Sequence, residues 1–385
     1  MATERLLDFL PPQWRHKLIW QGFCSWGSLF VGCLIALPAW AEPELRVAIR
    51  NGVDQVSLGS STLAVIRDSA GQAIAQLPQG RALVAETERG RVNLADRQGR
   101  AFWIEPTADG YVFIGDSWYR GRILVLFSEG GLVAINYVDL EQYLYSVLGG
   151  EMPPSWPLEA IQAQAVAARS YALYKRQRAA SALYDVESDT TWQIYPGLKS
   201  ETQSTHTAVE TTRGQVLTYN GQIIEAVFHS SSGGHTENVE DVWSQPLPYL
   251  RGVRDFDQGA PIYQWVATFS MEEFQSRIPS IGGLISAVPE RTTPQGRIIT
   301  IRLTGEAGSR VLSGDEIRRA LNLRSTLFSI NLVGMNTIQI IGRGYGHGIG
   351  MSQWGAHNLA ARGHTYQQIL AHYYQGTTLA VVQVQ

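Results

Sequence analysis

The chain has 385 residues, with 31 Lys and Arg against 34 Asp and Glu and a net charge of −3. That balance leaves no electrostatic footprint for nucleic acid, and the length suits about two domains with sizeable cores. Both cysteines, Cys24 and Cys33, lie near the N-terminus, so a chain processed beyond them has no disulfide framework, thiolate metal site or cysteine nucleophile.

Arg5, Arg15, His16 and Lys17 make a basic start, residues 18–37 are mostly apolar, and Ala39-Trp40-Ala41 is an A-x-A cleavage pattern. Residues 1–41 therefore read as a secretory signal peptide, and the protein is expected to be exported. Left uncleaved, the same run approaches spanning length and would be an anchor, the one membrane attachment expected. Residues 42–137 read as a β-rich N-terminal part. Runs such as Leu45-Arg46-Val47-Ala48-Ile49-Arg50 and Arg122-Ile123-Leu124-Val125-Leu126-Phe127 are separated by Gly- and Asp-containing turns. From 138 to 385 helices and strands are mixed. A helix is expected at about 138–148, where Leu140, Tyr143, Leu144, Val147 and Leu148 share one face. A longer one follows at about 156–180, with Ser155 as N-cap, and its alanines predict a central, buried position. Strands are expected at 213–228, 296–304 and 337–341. Helices are expected at 314–322, opened by a Ser313–Glu316 capping box, at 351–362, and after the Thr365–Gln368 box. The lack of a regular βαβ rhythm favours α+β: a β-rich part, then a mixed α/β core built around the Ala-rich helix.

Five stretches carry residues suited to chemistry. In Gly149-Gly150-Glu151-Met152-Pro153-Pro154 the prolines fix φ and push the preceding residues towards extended backbone. This predicts a carboxylate on a short rigid connector, either functional or an ordinary solvated loop residue. Arg169, within the Ala-rich helix before Tyr171, needs a carboxylate or ligand opposite it if buried. Gln193 and Tyr195 in Thr191-Trp192-Gln193-Ile194-Tyr195 suit a saccharide or peptide, or a packed turn. Ser230-Ser231-Ser232 precede Gly233-Gly234, without the G-x-S-x-G elbow of a serine hydrolase. His229 and His235 with Glu237 or Asp241 lack a tight metal-ligand spacing, so no metal and no cofactor is expected. Gly342, Gly344, Gly346, Gly348 and Gly350 alternate with Arg343, Tyr345, His347 and Ile349. In an extended chain this gives a bare face that backbone or a flat sugar ring could approach, and it is not a dinucleotide fingerprint.

Taken in order, these stretches resemble the SpoIID/LytB family of bacterial cell-wall proteins. The resemblance runs through "VLGGEMPPSWPLEAIQAQAVAARSYAL" at 147–173, "TTWQIYPG" at 190–197, "FHSSSGGHTENVEDVW" at 228–243, "PYLRGVRD" at 248–255 and "GRGYGHGIGMSQWGAHNLAARGHTYQQILAHYYQGT" at 342–377. It implies a periplasmic or cell-wall lytic transglycosylase cutting peptidoglycan glycan strands between N-acetylmuramic acid and N-acetylglucosamine, preferably in denuded glycan. Glu151 would be the catalytic acid. Arg169, Tyr171, Gln193, Tyr195, Ser231, Ser232, His347 and Gln353 are then cleft candidates for holding sugars. Such an acid should be partly desolvated, so that its proton is held towards neutral pH. Some relatives are amidase enhancers, so a cell-wall amidase is an alternative partner. A hydrolase would need a second carboxylate, from Glu237, Asp241, Asp255 or Asp257. Certain members hold zinc with a cysteine before Q-x-Y, where this chain has Trp192.

Overall fold

The computed structural model describes residues 43–382 apart from 179–180, 189–191, 244 and 335. The signal or anchor segment expected at 1–41 lies outside the described residues. Among those described, no helix is long and apolar enough to cross a membrane. The chain is α+β, and it packs as two compact units interleaved in sequence. One takes the chain through Glu151 together with Lys175–Thr205; the other takes Met152–Tyr174 and His206–Val381. The sequence division at 137/138 falls inside the first unit.

The first unit is built on two sheets. In spatial order the larger runs Val186–Glu187, Glu44–Val53, Gly131–Asp139, Arg122–Ser128, Ala101–Pro106, Ala64–Asp68 and Ala73–Leu77. Its neighbours are antiparallel except Val186–Glu187, which pairs parallel with Glu44–Val53. The smaller sheet runs Ser117–Tyr119, Val112–Ile114, Gln55–Ser60, Ala82–Glu88, Arg91–Leu94 and Arg97–Gly99. Gly131–Asp139 is buried along almost its whole length, which is why it reads as a continuous apolar run. Leu58, Ile104, Ile114, Val125 and Ile135 are fully buried, each worth about 1.5–3 kcal/mol of transfer free energy.

Helix α1, Leu140–Glu151, leaves this sheet directly. Asp139 caps it, its Oδ1 accepting from the Gln142 N–H at 3.0 Å. The five residues expected to share one face are all buried. The helix ends later than the sequence suggested, because Gly149 and Gly150 stay helical and the break comes only from Pro153, which disfavours helix at Met152. Glu151 is thus the last residue of a helix, not part of a free-standing connector.

Helix α2, Leu158–Gln177, belongs to the second unit as far as Tyr174 and is buried from Ala160 to Leu173. It lies in one apolar cluster with Leu217, Ile224, Val227, Ile349, Met351, Leu370, Tyr373 and Tyr374. Its alanines carry no bulk beyond Cβ, so neighbours come close on every side. Ser155 does not cap it. The Pro157 carbonyl accepts the first helical bonds, from Ala160 at 3.0 Å and Ile161 at 3.3 Å, and Ser155 sits in the preceding turn. The remaining helices are α3 (Gln203–Thr211), α4 (Val239–Val242), α5 (Met271–Arg277), α6 (Gly314–Ala320), α7 (Gln353–Ala361) and α8 (Tyr366–Tyr373). The capping boxes expected at Ser313–Glu316 and Thr365–Gln368 are both formed. Two three-stranded sheets, Gln264–Ser270/Thr337–Arg343/Phe328–Val333 and Leu284–Thr292/Ile298–Gly305/Gly308–Ser313, share a second apolar cluster with α5 and α6.

Candidate functional site

In the first unit, Glu151 is held by the segment Gln193–Ser200. That segment is fastened to the last turns of α1 at several points. Tyr143 donates its hydroxyl to Gln193 Oε1 at 3.1 Å. Ser146 Oγ accepts from the Gly197 N–H at 2.8 Å and donates to the Gly197 carbonyl at 2.9 Å, while Ser200 donates to the Ser146 carbonyl. The close approach depends on Gly149 and Gly150: a Cβ on the first would collide with the Ser200 carbonyl, and one on the second would stand 2.9 Å from Pro196 Cδ. The outcome is a backbone donor at the carboxylate. Ile194 N–H donates to Glu151 Oε1 at 2.9 Å, with Glu151 half-buried.

Gln193 and Tyr195 flank that donor with side chains turned inward. Gln193 is 1% exposed. Tyr195 packs its ring on Tyr119 and Tyr143 and donates to Asn136 Oδ1 at 2.9 Å, and burial pushes its hydroxyl well above the ordinary tyrosine value. Their contacts in the structure are with the fold itself, so they position Ile194. Trp192 lies with its ring 5.7 Å from the Lys175 ammonium. It offers no lone pair for a metal, so the residues present do not fit the zinc site of certain relatives.

In the second unit Ser231, Ser232 and His347 come together at the glycine-rich run, while Arg169, Tyr171 and Gln353 lie elsewhere in that unit. This run is not an extended strand with a bare face. Gly344, Gly346, Gly348 and Gly350 all take φ between 69° and 104°, in the left-handed region, and the regular strand ends at Arg343. What comes close is protein: the Ser231–Ser232 backbone at Gly344, His229 at Gly346, the Arg297 guanidinium at Gly348 and the Val227 carbonyl at Gly350. The alternation seen in the sequence marks positions that need left-handed backbone without Cβ.

Ser231 and Ser232 are fully buried. Ser231 Oγ donates to Asp257 Oδ2 at 2.5 Å, and Ser232 Oγ donates to Asp255 Oδ2 at 2.6 Å. Tyr373 donates to Asp255 Oδ1 at 2.5 Å. Burial, and then the charge of Asp255, raise the Asp257 carboxyl above the usual range. Arg297 closes this network from below the loop. Its Nη2 donates to the Ser232 carbonyl at 2.9 Å and its Nη1 to the Gly346 carbonyl at 3.1 Å, and Nε lies 3.4 Å from Glu237 Oε1. Burial lowers the guanidinium to about 10, against the opposing pull of Glu237 and Asp257. Arg297 gave no sequence signal, since it follows an ordinary Gln295-Gly296 turn.

His347 accepts from the Ile349 N–H through Nδ1 and donates through Nε2 to the Phe228 carbonyl, both at 3.0 Å. That pattern fixes the neutral Nε2–H tautomer. Burial, helped by the Arg297 charge, lowers the ring to about 4. His229 packs beside it, donating Nδ1–H to the Ile349 carbonyl, and Trp243 packs on its other neighbour side with ring centroids 5.1 Å apart. Tyr171 lies in the core beside Phe228. Arg169 is fully buried and donates to the Gln215 carbonyl at 3.0 Å and the Val209 carbonyl at 3.5 Å. Gln353 is 5% exposed at the first position of α7.

Residues 128–219 match the family described as "Stage II sporulation protein" (SpoIID). Residues 249–350 match "Domain of unknown function (DUF8618)". Over 266 residues the chain is 35% identical to stage II sporulation protein D of Bacillus subtilis (strain 168), covering 64% of this chain and 76% of that protein. The chain belongs to the stage II sporulation protein D family. It is also similar to an uncharacterized protein of Brachyspira hyodysenteriae (strain ATCC 49526 / WA1), 33% identical over 281 residues, with 71% and 75% of the two chains covered. A third similarity is to the amidase enhancer of Bacillus subtilis (strain 168), at 31% over 290 residues, spanning 61% of this chain and 40% of that protein. The SpoIID match contains α1, Glu151, α2 and the Gln193–Ser200 segment. Ser231, Ser232 and Gln353 lie outside both matched ranges.

Proposed function

We propose that this protein is an exported, cell-wall lytic transglycosylase that cleaves peptidoglycan glycan strands between N-acetylmuramic acid and N-acetylglucosamine, with Glu151 as acid and then base. Protonated Glu151 gives its proton to the glycosidic oxygen as the C1–O bond breaks. The resulting carboxylate takes the proton of the C6 hydroxyl as that oxygen bonds to C1, leaving a 1,6-anhydro end. The nucleophile belongs to the substrate, so a single carboxylate closes the proton cycle.

The observation that carries this reading is the setting of Glu151, at the last position of α1 and against the Ile194 N–H. A helix C-terminus disfavours negative charge, whereas a backbone donor favours it. Each of the two protonation states the cycle passes through therefore has a neighbour that suits it. The test is mass spectrometry of denuded glycan digested by the wild type and by Glu151→Gln. Anhydro-muramyl products from the wild type alone support the reading; reducing-end products, or unchanged cleavage by the variant, overturn it.

Similarity to a protein named amidase enhancer favours a second reading. There the protein binds wall glycan and stimulates a cell-wall amidase without cleaving glycan, and Glu151→Gln leaves that stimulation intact.

A further inference from the structure

Five residues after Glu151, Trp156 begins an aromatic cluster within the second unit that the site described above does not use. Its ring centroid lies 4.7 Å from that of Trp354 and 4.8 Å from that of His357, and Trp354 and His357 are 5.2 Å apart. The rings are inclined to one another by 59–61°. All three are half-buried, so each keeps part of its surface in solvent.

The polar atoms of this cluster can be assigned. Asn358 Nδ2 donates to the Phe256 carbonyl at 2.7 Å and to the Gln258 carbonyl at 3.2 Å. That fixes its amide orientation and makes Oδ1 the atom facing His357 Nδ1 at 2.9 Å. Oδ1 can only accept, so Nδ1 of His357 carries a proton, and in the neutral ring Nε2 is then the acceptor. Among the described residues, neither indole N–H nor His357 Nε2 has a hydrogen-bond partner, and none of these atoms is sealed in the interior. Three aromatic surfaces with two outward donors and one acceptor match a ring that has an apolar C–H face and a polar rim. That is the surface of a saccharide, with hydroxyl and acetamido groups around carbon.

We propose that Trp156, Trp354 and His357 form a subsite that stacks one N-acetylated amino-sugar ring. This rests on the glycan-directed reading of Glu151 but extends it to residues with no part in the proton cycle.

The test uses the full chain carrying Glu151→Gln, so that no turnover occurs, titrated calorimetrically with a soluble N-acetylglucosamine tetramer. Trp354→Ala and Trp156→Ala are expected to raise the Kd about five- to tenfold, the scale of one lost aromatic stack. Trp354→Phe should keep most of the affinity. His357→Gln, which retains an acceptor, should bind more tightly than His357→Leu. Should an alanine variant fail to fold, the Trp354→Phe and histidine pairs still decide the matter, since both positions are half-exposed. No binding by the parent, or one Kd across all variants with unchanged near-ultraviolet circular dichroism, overturns the subsite. If the tetramer follows the expected order while the wild type yields no anhydro ends, the subsite stands and the transglycosylase reading falls. Anhydro ends with a Kd indifferent to all three positions give the reverse.

Discussion

The Ile194 N–H donates to Glu151 Oε1 at 2.9 Å, and the two residues come from opposite ends of one clamp. Glu151 is fixed by the helix behind it, and the segment carrying Ile194 is fixed by Tyr143 and Ser146 of that helix, which bond Gln193, Gly197 and Ser200. Shortening the side chain should therefore be nearly as harmful as neutralising it. Glu151→Asp keeps the charge but withdraws the carboxylate by one methylene. Glycan cleavage is expected to fall by about 10²-fold or more, with little change in thermal stability. Turnover of denuded glycan, followed as anhydro ends released per minute, checks this. Activity within threefold of the wild type would detach the reaction from that geometry.

Gly149→Ala tests the clamp from the other side. Within a helix this change normally stabilises, by about 0.5–1 kcal/mol. Here the new Cβ would overlap the Ser200 carbonyl, so the 194–200 segment must move away from α1. The sign should reverse, to a loss of about 1–3 kcal/mol, and cleavage should fall with it because Ile194 moves. Urea unfolding read beside activity separates the outcomes. A stabilised variant would mean that the segment does not bear on α1.

The buried pair Arg297–Glu237 is the hub of the glycine-rich loop, with both side chains 1% exposed. Glu237→Gln removes the compensating charge and leaves the guanidinium with Asp257 at longer range and with two carbonyls. A cost of about 3–5 kcal/mol is expected for stranding a buried charge. Replacing both residues, Glu237→Gln with Arg297→Met, should cost less than the single change at Glu237. Denaturation midpoints of the wild type, the two single variants and the double variant form the cycle, and additive losses would remove the pair as a unit.

The local parts of this fold were legible from the sequence, and the long-range parts were not. Capping boxes such as Ser313–Glu316 and Thr365–Gln368 are written within four residues and formed as expected. The Ala-rich helix announced its burial because small side chains let other elements approach closely, and it is buried from Ala160 to Leu173. Glu151 was read onto a connector because Pro153 and Pro154 push the residues before them towards extended backbone, yet that effect stops at Met152 and the helix runs through Gly149, Gly150 and Glu151. What those glycines are for lies about fifty residues away, where the Ser200 carbonyl and Pro196 leave no room for a Cβ. The glycine alternation at 342–350 suggested a strand, since period two is the strand's own period. Only the left-handed φ at Gly344, Gly346, Gly348 and Gly350, with protein packed against each, shows what the glycines are for. Arg297 could not be found in advance, because its importance comes from partners distant in sequence, the carbonyls of Ser232 and Gly346 and the Glu237 carboxylate.

His347 predicts how the second unit responds to acid. Its ordinary value of 6.5 is lowered to about 4 in the fold, first by burial and then by the Arg297 charge. His229 beside it is lowered in the same direction. Above pH 6.5 both folded and unfolded chains hold the ring neutral, and it makes no pH-dependent contribution. Between 6.5 and 4 the unfolded chain binds a proton that the folded chain refuses, so stability falls as pH falls, by up to about 3 kcal/mol for this group. Protonation would also place a proton on Nδ1, where the Ile349 N–H now donates. The Asp257 carboxyl, raised by burial, works in the opposite direction and offsets part of the loss. In His347→Gln the amide has no charge to gain, so the fall in stability between pH 6.5 and 4 should become shallower, with the His229 share remaining. Urea unfolding across that range on both proteins measures the difference. Parallel curves would show that the His347 ring takes its proton as readily in the fold as out of it.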